Sequence, residues 1–168
     1  MGRGTIGSRM LFADEPVRRR SLDEAEQRIV VGALLACRVA EREVCERAAR
    51  LTEIAAPPPR WWEVRGPRSL VAHMALASRA DGVTLGRRVF VRQDLLTDAG
   101  AVPIALVAHE VAHVAQIVRD GFSAFYARSA LDYVRGRARG LDDRRAYLAI
   151  PYEVEARAVA ATADPFSE

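Results

Sequence analysis

The sequence predicts an α+β fold: a single, mostly helical domain in which a small antiparallel sheet precedes a buried helix. Three observations predict it. Apolar residues recur at spacings of three, four and seven from Leu22 to Ile54, the signature of an amphipathic helix, and further helical stretches follow after Pro103. One stretch, Gly82 to Arg92, alternates instead and turns at Gly86, as a β-hairpin does. With 168 residues, 50% of them hydrophobic, and no internal repeat or linker, the chain can build one core.

Taken in order, residues 1–20 are Gly- and Arg-rich and are expected to be a flexible tail, with the domain covering 21–168. Ser21-Leu22-Asp23-Glu24 reads as a capping box, Ser at the N-cap and Glu three residues on. Leu22, Ala25, Ile29, Ala33, Cys37, Ala40, Val44, Leu51 and Ile54 then follow helical spacing, which predicts one long amphipathic helix over 21–56, stopped by Pro57-Pro58-Pro59. Cys37 and Cys45 sit eight residues apart on that helix. Two helical turns separate such positions by about 12 Å, too far for a disulfide, and a structural Cys–zinc site needs more ligands. They are expected to act as small hydrophobes.

Trp61-Trp62-Glu63-Val64 suits a short strand and Gly66-Pro67 a turn, while Ser69 to Ser78 fits a short helix or a strand equally. The hairpin over about 82–92 follows, then a loop through Thr97-Asp98-Ala99-Gly100. A helix over 103–119 has Pro103 in its first turn and Gly121 as its C-terminal cap. The next helix runs from Ser123 to Arg139, with Phe122, Phe125, Tyr126, Tyr133 and Val134 as its larger core candidates and Gly140 closing it. Asp142 caps a short helix to about Ala149, and Pro151 opens the last helix, 152–163.

Charge narrows the function classes. Lys+Arg of 25 against Asp+Glu of 22 is nearly balanced. Arg135, Arg137, Arg139, Arg144 and Arg145 sit among Asp142 and Asp143 without interleaved stacking aromatics, so no nucleic-acid partner is expected. The first twenty residues lack an apolar stretch of signal-peptide length, and no apolar run is long enough to span a membrane. The expectation is a soluble, cytoplasmic protein, with signal-independent export still open.

The chemistry concentrates in His109-Glu110-Val111-Ala112-His113. Positions four apart on a helix share a face, so two imidazoles can take two corners of a tetrahedral zinc site. Glu110, one residue on, can reach a water on the metal without being a ligand. The rest of this helix is almost wholly apolar, and burying such polar groups without compensation is costly. A third protein ligand is required. His73 is the only other histidine, and Pro151-Tyr152-Glu153-Val154-Glu155-Ala156-Arg157 supplies two carboxylates. Glu153 and Glu155 lie about 200° apart around a helix, so only one of them can face a metal.

His109-Glu110-Val111-Ala112-His113 followed by Glu153-Val154-Glu155-Ala156-Arg157-Ala158 resembles the gluzincin metallopeptidases, in which a downstream E-x-x-A-D or E-x-E-A-N helix supplies the third zinc ligand. Val83-Thr84-Leu85-Gly86 through Val114-Ala115-Gln116 resembles more closely the small peptidase-like domain of bacterial extracellular contractile injection systems, where a T-x-G strand turn precedes H-E-x-x-H-x-x-Q. The resemblance spans about residues 80–162 and implies a minimal zincin-like fold. It implies Zn2+ held by His109, His113 and Glu153, with Glu155 in a supporting role. Arg157 stands where the wider family often has Asp or Asn, a position that can orient a ligand histidine, so that support is expected from another residue.

The function this predicts is zinc-dependent hydrolysis of peptide bonds in a peptide or protein substrate, with Glu110 accepting the proton of the attacking water. Tyr147, Tyr152 and His73 are candidate donors to the oxyanion, and the strand Arg88 to Arg92 is a candidate for pairing with an extended substrate. The alternative is a zinc-binding domain whose proteolysis is absent or latent and which acts through protein partners.

Overall fold

Two helices, not one, occupy the first third of the chain. The computed structural model describes residues 19–55, 80–95 and 102–164. The expectations for residues 1–18, Pro57-Pro58-Pro59, Trp61 to Val64, Gly66-Pro67, Ser69 to Ser78 with His73, and Thr97 to Gly100 lie outside them. Strand β1 (Arg19–Ser21) takes in the end of the expected tail, and Ser21 is a strand residue rather than a cap. Helix α1 (Glu24–Ala36) is capped by Asp23, whose Oδ1 accepts from Glu26 N at 2.8 Å while Glu26 Oε2 accepts from Asp23 N at 3.0 Å. Asp caps as well as Ser does. Glu26 also pairs with Arg20 at 2.6 Å and so ties the helix start to β1.

The expected long helix breaks after Ala36. Arg38 takes a left-handed φ of 56°, and two crossed backbone bonds close the end: Arg38 N donates to Leu35 O and Val39 N to Leu34 O, each at 3.0 Å. This is a Schellman ending built without glycine, and burial of Val39 holds it. Helix α2 (Arg42–Leu51) follows, and the last residues assigned to helix become strand β2 (Glu53–Ala55). Cys37 and Cys45 therefore lie on either side of a helix break, both as free thiols, with Cys45 buried.

The hairpin forms as expected from β3 (Gly82–Leu85) and β4 (Arg88–Val91), and Gly86 supplies the positive φ of 72° that the two-residue turn requires. The sheet is mixed rather than antiparallel, in the order β1-β2-β4-β3. β2 pairs parallel to β4, with Ile54 opposite Val89. β4 is thus an interior strand, and Arg88 to Arg92 cannot offer the free edge expected of it; the edge beside the helices is β3.

Helix α3 (Ile104–Asp120) runs through the centre, packed against α1, α2, β3 and the two helices α4 (Phe122–Ala138) and α6 (Pro151–Ala163). Val107, Ala108, Val111, Ala112, Val114 and Ala115 are buried along it and share one core with Val30, Leu34, Ile54, Val89 and Val159. Each large side chain removed from water in this way stabilises by about 1.5–3 kcal/mol. Gly121, at φ 88°, lets the chain reverse directly from α3 into α4. On α4 only Phe125 and Gly136 are buried; Phe122 and Val134, expected in the core, are exposed, while Tyr126 and Tyr133 pack half-buried beside the cluster of Phe125, Ile150 and Tyr152. Helix α5 (Asp143–Leu148) starts at the expected cap, Asp142 Oδ1 accepting from Arg145 N at 2.7 Å. Among the described residues no helix is long and apolar enough to cross a membrane.

Candidate metal centre

His109 and His113 lie one turn apart on α3, on the side that packs against α6. Pro151 fixes the first turn of α6, which places Glu153 at the helix start and against those two rings. His109 Nε2 lies 3.4 Å from Glu153 Oε2, and His113 Nε2 lies 3.3 Å from Glu153 Oε1. One donor atom from each of the three residues falls within 4.8 Å of the others. Two donors bound at about 2.0–2.1 Å to a tetrahedral ion are about 3.3–3.4 Å apart, so both histidine–carboxylate separations fit zinc, and two imidazoles with one carboxylate are a donor set zinc accepts. Among the described residues this is the group of three or more such side chains placed to hold a metal.

The electrostatics agree with a site that holds a cation. Burial pushes the His113 imidazole down, but its bond to Glu153 and the charges of Glu110 and Glu153 outweigh this and raise it. Burial pushes the Glu153 carboxyl up, and the bonds from His109 and His113 overcome that, holding it well below the usual carboxylate range. The Glu153 carboxylate thus keeps its charge in a largely buried place because His109 and His113 face it, an arrangement that suits a cation shared among the three.

Glu110 is held from the sheet. It is 3% exposed, and the Thr84 hydroxyl stands 2.7 Å from its Oε2 and 3.1 Å from its backbone carbonyl oxygen. Alternation along β3 puts Gly82 on the same face as Thr84. A Cβ at position 82 would lie 2.7 Å from Glu110 Oε1, so glycine leaves the space the carboxylate fills. The Glu110 charge is close enough to act on His113. Tyr126 crosses the edge of β3, donating its hydroxyl to Thr84 O at 2.9 Å and receiving Gly86 N at 3.4 Å.

Gln116, not the residue at position 157, holds His113 from behind. Gln116 Oε1 lies 2.8 Å from His113 Nδ1, and Gln116 Nε2 donates to Tyr152 O at 3.0 Å and Glu155 Oε2 at 2.7 Å. Glu155 also pairs with Arg119 at 3.2 Å, so it faces away from the two imidazoles and supports the side chains behind them. Arg157 donates to Leu148 O at 2.6 Å. Of the oxyanion candidates, Tyr147 lies nearest the centre: the residue is half-exposed, yet burial of its hydroxyl and the nearby Glu153 carboxylate raise its pKa. Tyr152 points elsewhere, donating to Asp120 Oδ2 at 2.7 Å. His73 lies outside the described residues. Sequence reasoning singles out neither Gly82 nor the partners of Gln116 on α6, because those contacts join residues 28 or more positions apart.

No curated protein and no solved structure matches the chain. The family model of the eCIS core domain matches residues 64–121. That span holds β3, β4 and all of α3 with His109, Glu110 and His113, and it ends before Glu153, which only the packing of α6 brings to them. The match relates the chain to extracellular contractile injection systems.

Proposed function

We propose that the chain is a zinc-dependent peptidase of the gluzincin type, with His109, His113 and Glu153 holding the metal and Glu110 as general base. The observation that carries this reading is the convergence of both imidazole Nε2 atoms on the two oxygens of one buried carboxylate, at 3.4 and 3.3 Å. Zinc held there would supply Lewis acidity toward a peptide carbonyl and a more acidic water. Glu110 has Oε2 tied to Thr84, which leaves Oε1 to take the proton from the attacking water and to hand it to the leaving amine. Tyr147 is the candidate donor to a developing oxyanion, because its hydroxyl lies close enough to Glu153 for that carboxylate to act on it. The outward edge of β3 is the place for an extended substrate to pair.

One observation favours a second reading, a zinc-holding domain with latent proteolysis that works within a protein assembly. Thr84 O, on that same edge, is already taken by the Tyr126 hydroxyl. The test is zinc content together with cleavage of a peptide library by wild type and Glu110→Gln. Cleavage by the wild type that Glu110→Gln abolishes, with zinc retained, supports the peptidase. About one zinc per chain with no cleavage by either protein shifts the weight to the second reading, and a folded wild type that takes up no zinc sinks both.

A further inference from the structure

We infer that Gln116, clamped by Glu155 and the Tyr152 carbonyl, is a positioning residue that fixes the His113 tautomer and thereby sets how tightly the centre holds a cation. The inference rests on the zinc reading above and adds to it the source of His113's orientation. Gln116 is fully buried, at 0% exposure, so its amide cannot trade partners with water.

The two ends of that amide are chemically different, and the surroundings decide between them. Tyr152 O and Glu155 Oε2, at 3.0 and 2.7 Å, can only accept hydrogen bonds from this side chain when Glu155 is ionised. The amide NH2 satisfies both. The flipped amide would set its carbonyl oxygen against two acceptors and would strand both N–H groups in a buried site. Gln116 Oε1 must therefore face His113 Nδ1, at 2.8 Å. An oxygen acceptor there requires Nδ1 to carry the proton.

A neutral imidazole has one N–H, so its Nε2 is then a bare lone pair. That lone pair faces Glu153 Oε1 at 3.3 Å. Two acceptors at this distance repel unless a proton or a metal ion lies between them. The clamp thus turns the ligand lone pair of His113 toward the carboxylate that would share a metal ion with it. Arg119 anchors the clamp from outside: its Nη1 lies 3.2 and 3.3 Å from the two Glu155 oxygens and also donates to Val39 O in the α1–α2 connection. The Gln116 amide joins α3 to α6, and the Arg119 guanidinium ties Glu155 to that connection.

The experiment measures two quantities on the full chain. The first is the His113 tautomer from long-range 1H–15N spectra of protein labelled at its three histidines, assigned with single His variants. The second is zinc affinity by chelator competition for wild type, Gln116→Met and Glu155→Ala. The expected result is Nδ1–H at His113 in zinc-loaded wild type and affinity weakened about 10–100-fold in Gln116→Met, as for other groups that orient a ligand histidine. Glu155→Ala, which leaves the Tyr152 carbonyl in place, should weaken it less. Nε2–H in the wild type overturns the inference with no variant needed, as does a folded Gln116→Met with zinc affinity within about twofold of wild type, against the effect such groups normally have. If the wild type takes up no zinc, the peptidase reading fails separately. The tautomer of the metal-free protein at alkaline pH then decides the clamp, Nδ1–H supporting it and Nε2–H overturning it.

Discussion

Replacing Gly82 by alanine sets a methyl carbon 2.7 Å from Glu110 Oε1, 2.9 Å from its Cδ and 3.1 Å from its Cγ. Comfortable contacts begin near about 3.4 Å, so the carboxylate must retreat by about 0.7 Å or the strand must lift by as much. The end of a glutamate usually gives way cheaply. This one is buried and held at 2.7 Å by the Thr84 hydroxyl, so retreat breaks a hydrogen bond to a charged group. Such a bond is worth about 1.5–3 kcal/mol, and the overpacking route costs about the same, so about 2 kcal/mol is the expected loss by either route. In a domain of this size that lowers Tm by about 4–8 °C. A shift near 1 Å in a positioned base can also cost about 100-fold in rate.

The assay for Gly82→Ala is thermal unfolding beside zinc content and peptide cleavage. Any zinc content should hold, since none of the three proposed ligand side chains is among the atoms the methyl group meets. Thr84→Ser, which keeps the hydroxyl, should behave as wild type, and Thr84→Val should share the loss. A Gly82→Ala protein with wild-type Tm and wild-type cleavage would refute the account of how β3 holds Glu110.

Three further outcomes are expected. Glu153→Gln removes the carboxylate that both imidazoles face, so zinc affinity should fall by more than the roughly 10–100-fold typical of supporting groups, read by chelator competition. Tyr126→Phe frees Thr84 O on the β3 edge; if proteolysis is latent for that reason, peptide cleavage should rise, and an unchanged rate removes the reason. Asp120 is held below the usual carboxylate range by its bond to Arg119, against burial, and by the Tyr152 hydroxyl. A lowered folded pKa means stability that is present above the unfolded value of about 3.9 and is lost as pH falls through the folded one. The gap in urea midpoint between wild type and Asp120→Asn should therefore be open at neutral pH and close in acid; a gap that stays constant contradicts the pairing.

Local chemistry was readable from the residues alone. The H-E-x-x-H spacing, the apolar run around it, Gly121 after it, the two-residue hairpin turn and the Asp142 cap each depend on neighbours a few positions away, and each stands where the sequence places it. The helix break at Arg38 was hidden for a physical reason. Neither glycine nor proline marks it, and the apolar spacing runs on across the turn because both helices bury the same kind of face. β2 was hidden too, because its three residues continue the helical pattern and become a strand only by pairing with β4.

What the sequence determined by itself is a helix bearing two imidazoles and a glutamate, a hairpin before it, and a later helix on which only one of two carboxylates could turn toward them. The tertiary structure decided that Glu153 is that carboxylate, that β3 and not β4 is the open edge, and that Gln116 stands between His113 and Glu155. Helical and strand periodicities fix which way a side chain points from its own element. Which groups meet depends on how distant elements pack, and here that is α6 and β3 both packed against α3.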